Sequence, residues 1–412
     1  MKIDNKKQFL SKNIGKFYDL CMSVGAVVVF NMVIQLFIYP FIADRLGNEG
    51  FGQVRAMMSL VSITAGSFGV SANYSRMMTE NKLHPSNSSY FYILLGGGAA
   101  CAALGIAYMT GLGAFTPLAA LMFALLIILT AFRYYSDVSF RMKTDFFGYM
   151  IFYFAIAAGY AVGVLVYLVT KQWYLAFIMG ELTGIIFVAV RGSVYKKALK
   201  KPDSSFPKVC KSMSFLLPSN LMENLTLNAD GLVLIAFCDE EAVAIFYTAS
   251  LLGKVIAMLS APLNSLIISY IVKSGVELNK KFWSVALGAV TLLGALAFGG
   301  CSIASPIFLK IFYPSLYGEV LRYIAPAILG QIFYFISGIL LVVLLKFNGE
   351  KKQFFINATY FAEFFIIVTL MTYFMGLNGF IYGTLIANAI RFIGVATLGC
   401  ISVVKKGRES KI

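Results

Sequence analysis

The stretch from Phe147 to Thr170 reads FGYMIFYFAIAAGYAVGVLVYLVT, apolar, aromatic and small residues without a single charge. A helix of this length, at about 1.5 Å per residue, crosses the roughly 30 Å hydrocarbon core of a bilayer. Eleven more stretches share its character: Leu20–Ala43, Phe51–Ala72, Tyr90–Thr110, Phe115–Tyr135, Trp173–Val190, Met213–Phe237, Ala242–Val272, Phe282–Ala304, Ile324–Leu345, Phe354–Met375 and Phe380–Val404. None alternates polar with apolar residues as a membrane barrel strand does, so they read as helices. With 59% hydrophobic and 13% charged residues, and a mean hydropathy of +0.80, the chain carries more apolar surface than a water-soluble fold can hide. The expected fold is an all-α integral membrane protein with twelve transmembrane helices in two six-helix lobes around a central cavity.

The basic residues give the orientation. Of 34 Lys and Arg, 26 fall in the two tails and in every second gap between spans, 4 in the other gaps and 4 inside spans. The positive-inside rule then places both termini and the central loop in the cytoplasm. The net charge of +15 follows from topology and anionic headgroups and requires no nucleic acid. A basic, polar N-terminus leads into a span of full length, which reads as a retained anchor and not as a cleaved signal.

Six spans precede the longest basic loop and six follow it. The expected organisation is a first lobe over 1–192, a cytoplasmic linker over 193–212 and a second lobe over 213–412. A faint repeat supports this. Leu46-Gly47-Asn48-Glu49-Gly50-Phe51-Gly52 and Cys238-Asp239-Glu240-Glu241-Ala242-Val243-Ala244 are both acidic turns that enter a long helix from outside. The six cysteines are scattered and His84 is the only histidine, so no metal or cofactor is expected. There is no Walker A motif, no HExxH and no GxSxG elbow, so an enzyme is not expected.

Eight charges lie inside spans: Arg55, Arg133, Lys254 and Arg391, and Glu181, Glu223, Asp230 and Glu363. A charge at the bilayer centre costs about 2.5–3.5 kcal/mol on insertion scales, so such residues face a cavity or pair with one another. Arg133 sits near the cytoplasmic end of its span, within snorkelling reach. Lys254, Arg391, Glu223 and Glu363 fall near the midplane. Two readings stay open. Lys254 and Arg391 pair with Glu223 and Glu363 and tie helices together, or the cations line a cavity for an anionic cargo. In the second reading Glu223, Asp230, Glu363 and Glu181 are available for proton or sodium coupling. Span seven is the most polar: Asn220, Asn224 and Asn228 recur every four residues along one face, and Pro218 marks a kink.

The turn Arg45–Gly52, the segment Arg133–Phe146 and the run from Pro218 through Asp230 to Tyr247 resemble the polysaccharide and O-antigen flippases of the multidrug/oligosaccharidyl-lipid/polysaccharide exporter superfamily. Where those proteins often have arginine after the span-seven aspartate, this chain has Gly231. The resemblance implies translocation of undecaprenyl-diphosphate-linked oligosaccharide, as used for O-antigen, lipopolysaccharide or capsule, from the inner to the outer leaflet of a bacterial plasma membrane by alternating access. It also implies membrane lipid, a polysaccharide polymerase and chain-length proteins as partners. A diphosphate calls for cations, with Arg55, Arg133, Lys254 and Arg391 as candidates. Sugars call for hydrogen-bonding groups, which Asn31, Gln35, Asn220, Asn224, Asn228, Gln331 and Asn388 offer. The alternatives are a cation-coupled multidrug exporter of the same superfamily, whose cavity would favour acids, and a non-transporting subunit of a polysaccharide-assembly complex.

Overall fold

The computed structural model describes residues 22, 25, 27–143, 145–191, 194–260, 263–264, 267, 277–348 and 350–409. Among them there is no strand. The helices are α1 (Tyr39–Val61), α2 (Ser67–Leu83), α3 (Asn87–Gly111), α4 (Pro117–Ser136), the short α5 (Val138–Arg141), α6 (Phe146–Thr170), α7 (Tyr174–Arg191), α8 (Phe206–Leu227), α9 (Asp230–Phe237), α10 (Glu240–Met258), α11 (Lys280–Phe312), the short α12 (Tyr317–Val320), α13 (Ile324–Asn348) and α14 (Glu350–Glu409). π-Helical turns at Ile34–Ile38 and Ser62–Gly66 flank α1. Pro262, a second proline inside a predicted span, lies outside the described residues, as does Cys21.

By length and hydropathy, nine helices among the described residues can cross a membrane. The difference from twelve has physical causes. Val27–Glu80 and Phe355–Lys405 each count once, yet a straight helix of that length would run about 75–80 Å, more than twice the bilayer core. Each is broken at a glycine with positive φ, Gly47 (φ 70°) in the first and Gly376 (φ 57°) in the second. Glycine reaches this backbone region without a Cβ penalty. Helix α8, with its asparagines, Pro218 and Glu223, falls short of the apolar character that hydropathy demands. The chain is an integral membrane protein, and α8 is conspicuously polar beside its other long helices.

The chain divides into two compact units, and neither is a continuous segment. The first comprises Met1–Arg45 and Met57–Asn228, the second Leu46–Ala56 and Ala229–Ile412. In the first, α6 and α7 approach closely. A Cβ on Gly163 would strike the carbonyl of Ala176, and one on Gly159 would strike the Thr183 side chain. Small residues let membrane helices pack backbone to backbone where no hydrophobic drive separates helix from lipid. The central linker is anchored within this unit. Asp203 accepts from the Ser86 backbone N–H at 3.1 Å and from the hydroxyls of Ser89 (2.8 Å) and Ser205 (2.6 Å). Asn87 and Ser88 donate to the carbonyls of Lys196 and Lys201. Ser86 is also the N-cap of α3, accepting from the Ser89 N–H.

In the second unit the turn Leu46–Ala56 seats against the start of α10. A Cβ on Gly52 would strike the Glu240 carbonyl oxygen. Asn48 donates to Glu241 at 3.3 Å across 193 residues of chain. Phe51 is fully buried between Tyr247 and Tyr313, with ring centres 6.0 and 5.9 Å away. The two turns whose likeness suggested a repeat therefore pack against each other.

Candidate functional site

In the first unit the buried charges lie where α4, α6 and α7 meet. Arg133 does not snorkel. It is 4% exposed and its Nε donates to Glu181 Oε2 at 2.8 Å. The other Glu181 oxygen accepts from the Tyr160 hydroxyl at 2.6 Å. The guanidinium stacks on Tyr134 at 3.7 Å, with Phe30 at 5.4 Å. Glycines make the room. A Cβ on Gly184 would stand 3.2 Å from Arg133 Cγ, and one on Gly180 would strike the Tyr160 ring. A carboxylate held by both a guanidinium and a phenol is a satisfied buried group, which is the condition for burying charge. Nearby, Asp137 accepts from Tyr153 (3.0 Å) and Tyr149 (3.4 Å), with Arg141 at 3.6 Å. Arg76 is also buried, against Glu80 at 2.6 Å and the Tyr90 ring at 5.2 Å. Sequence reading placed Arg76 and Arg141 among loop cations and gave Asp137 no role. The spacings Arg76–Glu80 and Asp137–Arg141, four residues each, were the available signal.

The span-seven stripe is half spent on its own backbone. Asn224 and Asn228 donate to the carbonyls of Asn220 and Asn224 at 3.1 and 3.0 Å. Asn220 donates to Ser71 Oγ at 2.9 Å, and Ser67 donates to the Asn220 carbonyl at 3.1 Å. The helix runs on through Pro218, and the interruption falls at Asn228, between α8 and α9. Glu223 is exposed on this helix. Asn31 donates to the Val27 carbonyl at 2.8 Å, and Gln35 is buried inside the first π-helical turn.

In the second unit Lys254 Nζ lies 2.7 Å from Asp230 Oδ2. Its carboxylate partner is therefore Asp230, in place of the Glu223 that sequence reading offered. The same ammonium sits 5.2 and 5.3 Å from the rings of Phe246 and Tyr247. The Arg55 guanidinium covers Tyr247 at 3.7 Å. Two cations thus share one aromatic ring beside one buried carboxylate. Gln331 is buried, and a Cβ on Gly253 would stand 2.9 Å from its Cβ.

Arg391 forms a second centre. It lies between Tyr334 and Tyr360, at 4.6 and 4.3 Å from their ring centres. Tyr360 in turn donates to Asn388 at 2.7 Å. Among the described residues Arg391 makes no ion pair, so the expected pairing with Glu363 is not present. Glu363 is half-buried, and its Oε1 is enclosed without a hydrogen-bond partner.

No family model and no curated protein sequence matches this chain. Solved structures do. An inward-facing conformation of a multidrug resistance MATE family transporter of the MOP superfamily aligns with TM-score 0.71 at 13% identity, over 92% of this chain and 95% of that one. The fold is that of MATE transporters. An outward-facing conformation of a multidrug resistance MATE family transporter gives TM-score 0.60 at 14% identity, over 95% of both chains. A MOP superfamily transporter from Pyrococcus furiosus Vc1 (DSM3638), described as having a binding pocket of reverse polarity that suggests a different function, gives 0.61 at 12%, over 94% of both.

Proposed function

We propose that this protein is a membrane transporter working by alternating access, and that its cargo is a lipid-linked oligosaccharide carrying a diphosphate. Both termini would face the cytoplasm of a bacterial plasma membrane. The observation that carries the cargo reading is a count of charge. The second unit holds Arg55, Lys254 and Arg391 within its spans against buried Asp230 and half-buried Glu363. An organic cation is best held by surplus acid, whereas a diphosphate is best held by surplus base in a low dielectric.

The multidrug exporter is the second reading. Two of the solved neighbours support it, since they carry that description. Reconstituted vesicles separate the two. With the flippase reading, a fluorescent diphosphate-linked oligosaccharide changes leaflet and a cationic dye does not leave the vesicle. Dye efflux driven by a proton or sodium gradient, with no movement of the lipid-linked sugar, would establish the exporter instead.

A further inference from the structure

Two buried ion pairs, one in each unit, are held in different ways. In the first unit Glu181 is bound through both oxygens, Oε2 by Arg133 and Oε1 by Tyr160. Both side chains of that pair are 4% exposed. It is closed on every side and satisfied. In the second unit Asp230 is bound through one oxygen. Its Oδ2 lies 2.7 Å from Lys254 Nζ, while Oδ1 is enclosed and meets no hydrogen-bond donor among the described residues. Exposure is unequal as well, 14% for the Lys254 side chain against 1% for Asp230. What this pair shows to its surroundings belongs to the lysine.

An ammonium carries three N–H donors. One goes to Asp230, and the rings of Phe246 and Tyr247, at 5.2 and 5.3 Å, attract the charge without accepting the others as a carboxylate does. Lys254 can therefore meet a second anion without leaving its first. The Arg55 guanidinium over the same Tyr247 ring brings another cation to that place. An anion arriving at Lys254 draws on a charge that Asp230 already offsets, and it is repelled by the carboxylate behind it. In a site of low dielectric that repulsion is stronger than in water.

We propose that Asp230 limits affinity for the cargo: it holds Lys254 in place for the diphosphate and weakens that contact enough for the cargo to leave. This inference rests on the lipid-linked diphosphate reading given above, and it keeps Arg55, Lys254 and Arg391 as the cations of that reading. A carrier must release what it binds, and tighter binding shows chiefly as slower release.

The test uses the full-length protein. Equilibrium binding of radiolabelled farnesyl diphosphate is measured in lipid nanodiscs, with farnesol as the probe that lacks phosphate. Flipping of the fluorescent diphosphate-linked oligosaccharide is followed in reconstituted vesicles. Asp230→Asn keeps an oxygen acceptor for Lys254 and removes the charge. It should bind farnesyl diphosphate about ten- to a hundredfold more tightly than the wild type, bind farnesol equally, and flip more slowly. If Asp230→Asn does not fold, Lys254→Arg serves in its place. A guanidinium offers one edge to Asp230 and another to phosphate, so binding should again tighten and flipping slow. A wild type that prefers the diphosphate to farnesol, with a folded variant that binds it no more tightly, would overturn this inference and leave the cargo reading standing. Farnesyl diphosphate held no better than farnesol by wild type and variant alike would overturn the cargo reading and this inference with it.

Discussion

A Cβ on Gly52 would collide with the backbone carbonyl of Glu240. A carbonyl fixed at a helix start cannot swing aside as a flexible side chain can, so Gly52→Ala must displace the outer turn. The expected loss is about 1–3 kcal/mol, typical of overpacking. Thermal melting of the purified protein checks it, with Gly288→Ala as the neutral control because nothing lies within 4 Å of that position. Equal Tm for the two variants would refute the packing argument.

The Lys254–Asp230 pair predicts a rescue. Lys254→Met alone leaves Asp230 buried and unpaired, with an expected cost of about 3–5 kcal/mol. Adding Asp230→Asn removes the stranded charge and should restore yield and Tm. Under the flippase reading the double variant folds but transports poorly, since a cation beside Arg55 is gone. A double variant with full transport would make the pair purely structural.

At the other buried pair the two partners of Glu181 should differ in weight. Tyr160→Phe deletes one hydrogen bond, at about 0.5–1.5 kcal/mol. Glu181→Gln strands the Arg133 guanidinium, at about 3–5 kcal/mol. The order of Tm values, wild type above Tyr160→Phe above Glu181→Gln, is the outcome to measure.

The linker anchor carries a pH dependence. Burial opposes ionisation of Asp203, but hydrogen bonds from Ser205, Ser89 and Ser86 prevail and hold its carboxyl down to about 2. A carboxylate with a lowered folded-state value contributes stability above its unfolded value, about 3.9. That contribution fades as the pH falls from about 4 through 2. At neutral pH Asp203→Asn should already loosen the anchor. Trypsin cleavage after Lys197 and Lys200 should then be faster than in the wild type, and unchanged cleavage would count against the anchor.

How much of this was legible in the sequence depends on the distance over which each feature is encoded. A span such as Phe147–Thr170 declares itself locally, because twenty-odd apolar residues have few other stable places to go. The polarity of span seven was equally plain. Partners were not. Arg133 and Glu181 are 48 residues apart on different helices, and nothing in either segment names the other. Depth along a helix suggested Glu223 for Lys254, but depth does not say which face a helix presents, and Asp230 holds the pair. Pro218 looked like the place to break span seven, whereas the break falls at Asn228. Proline is tolerated in membrane helices when neighbours re-satisfy the freed carbonyl. The burial of Arg76 was missed because a charge at a span's end reads as solvated.

The seating of Asn48 against Glu241 has a consequence for biosynthesis. At about 5–20 residues per second, the 193 residues between them take about ten to forty seconds to synthesise. Throughout that interval the turn at Gly52 and the ring of Phe51 have no docking surface, because the ribosome has not yet made Glu240, Tyr247 or Tyr313. Insertion of the first crossings therefore precedes their final packing. A nascent chain halted before α10 carries this turn with the contacts of Asn48, Phe51 and Gly52 still unmade.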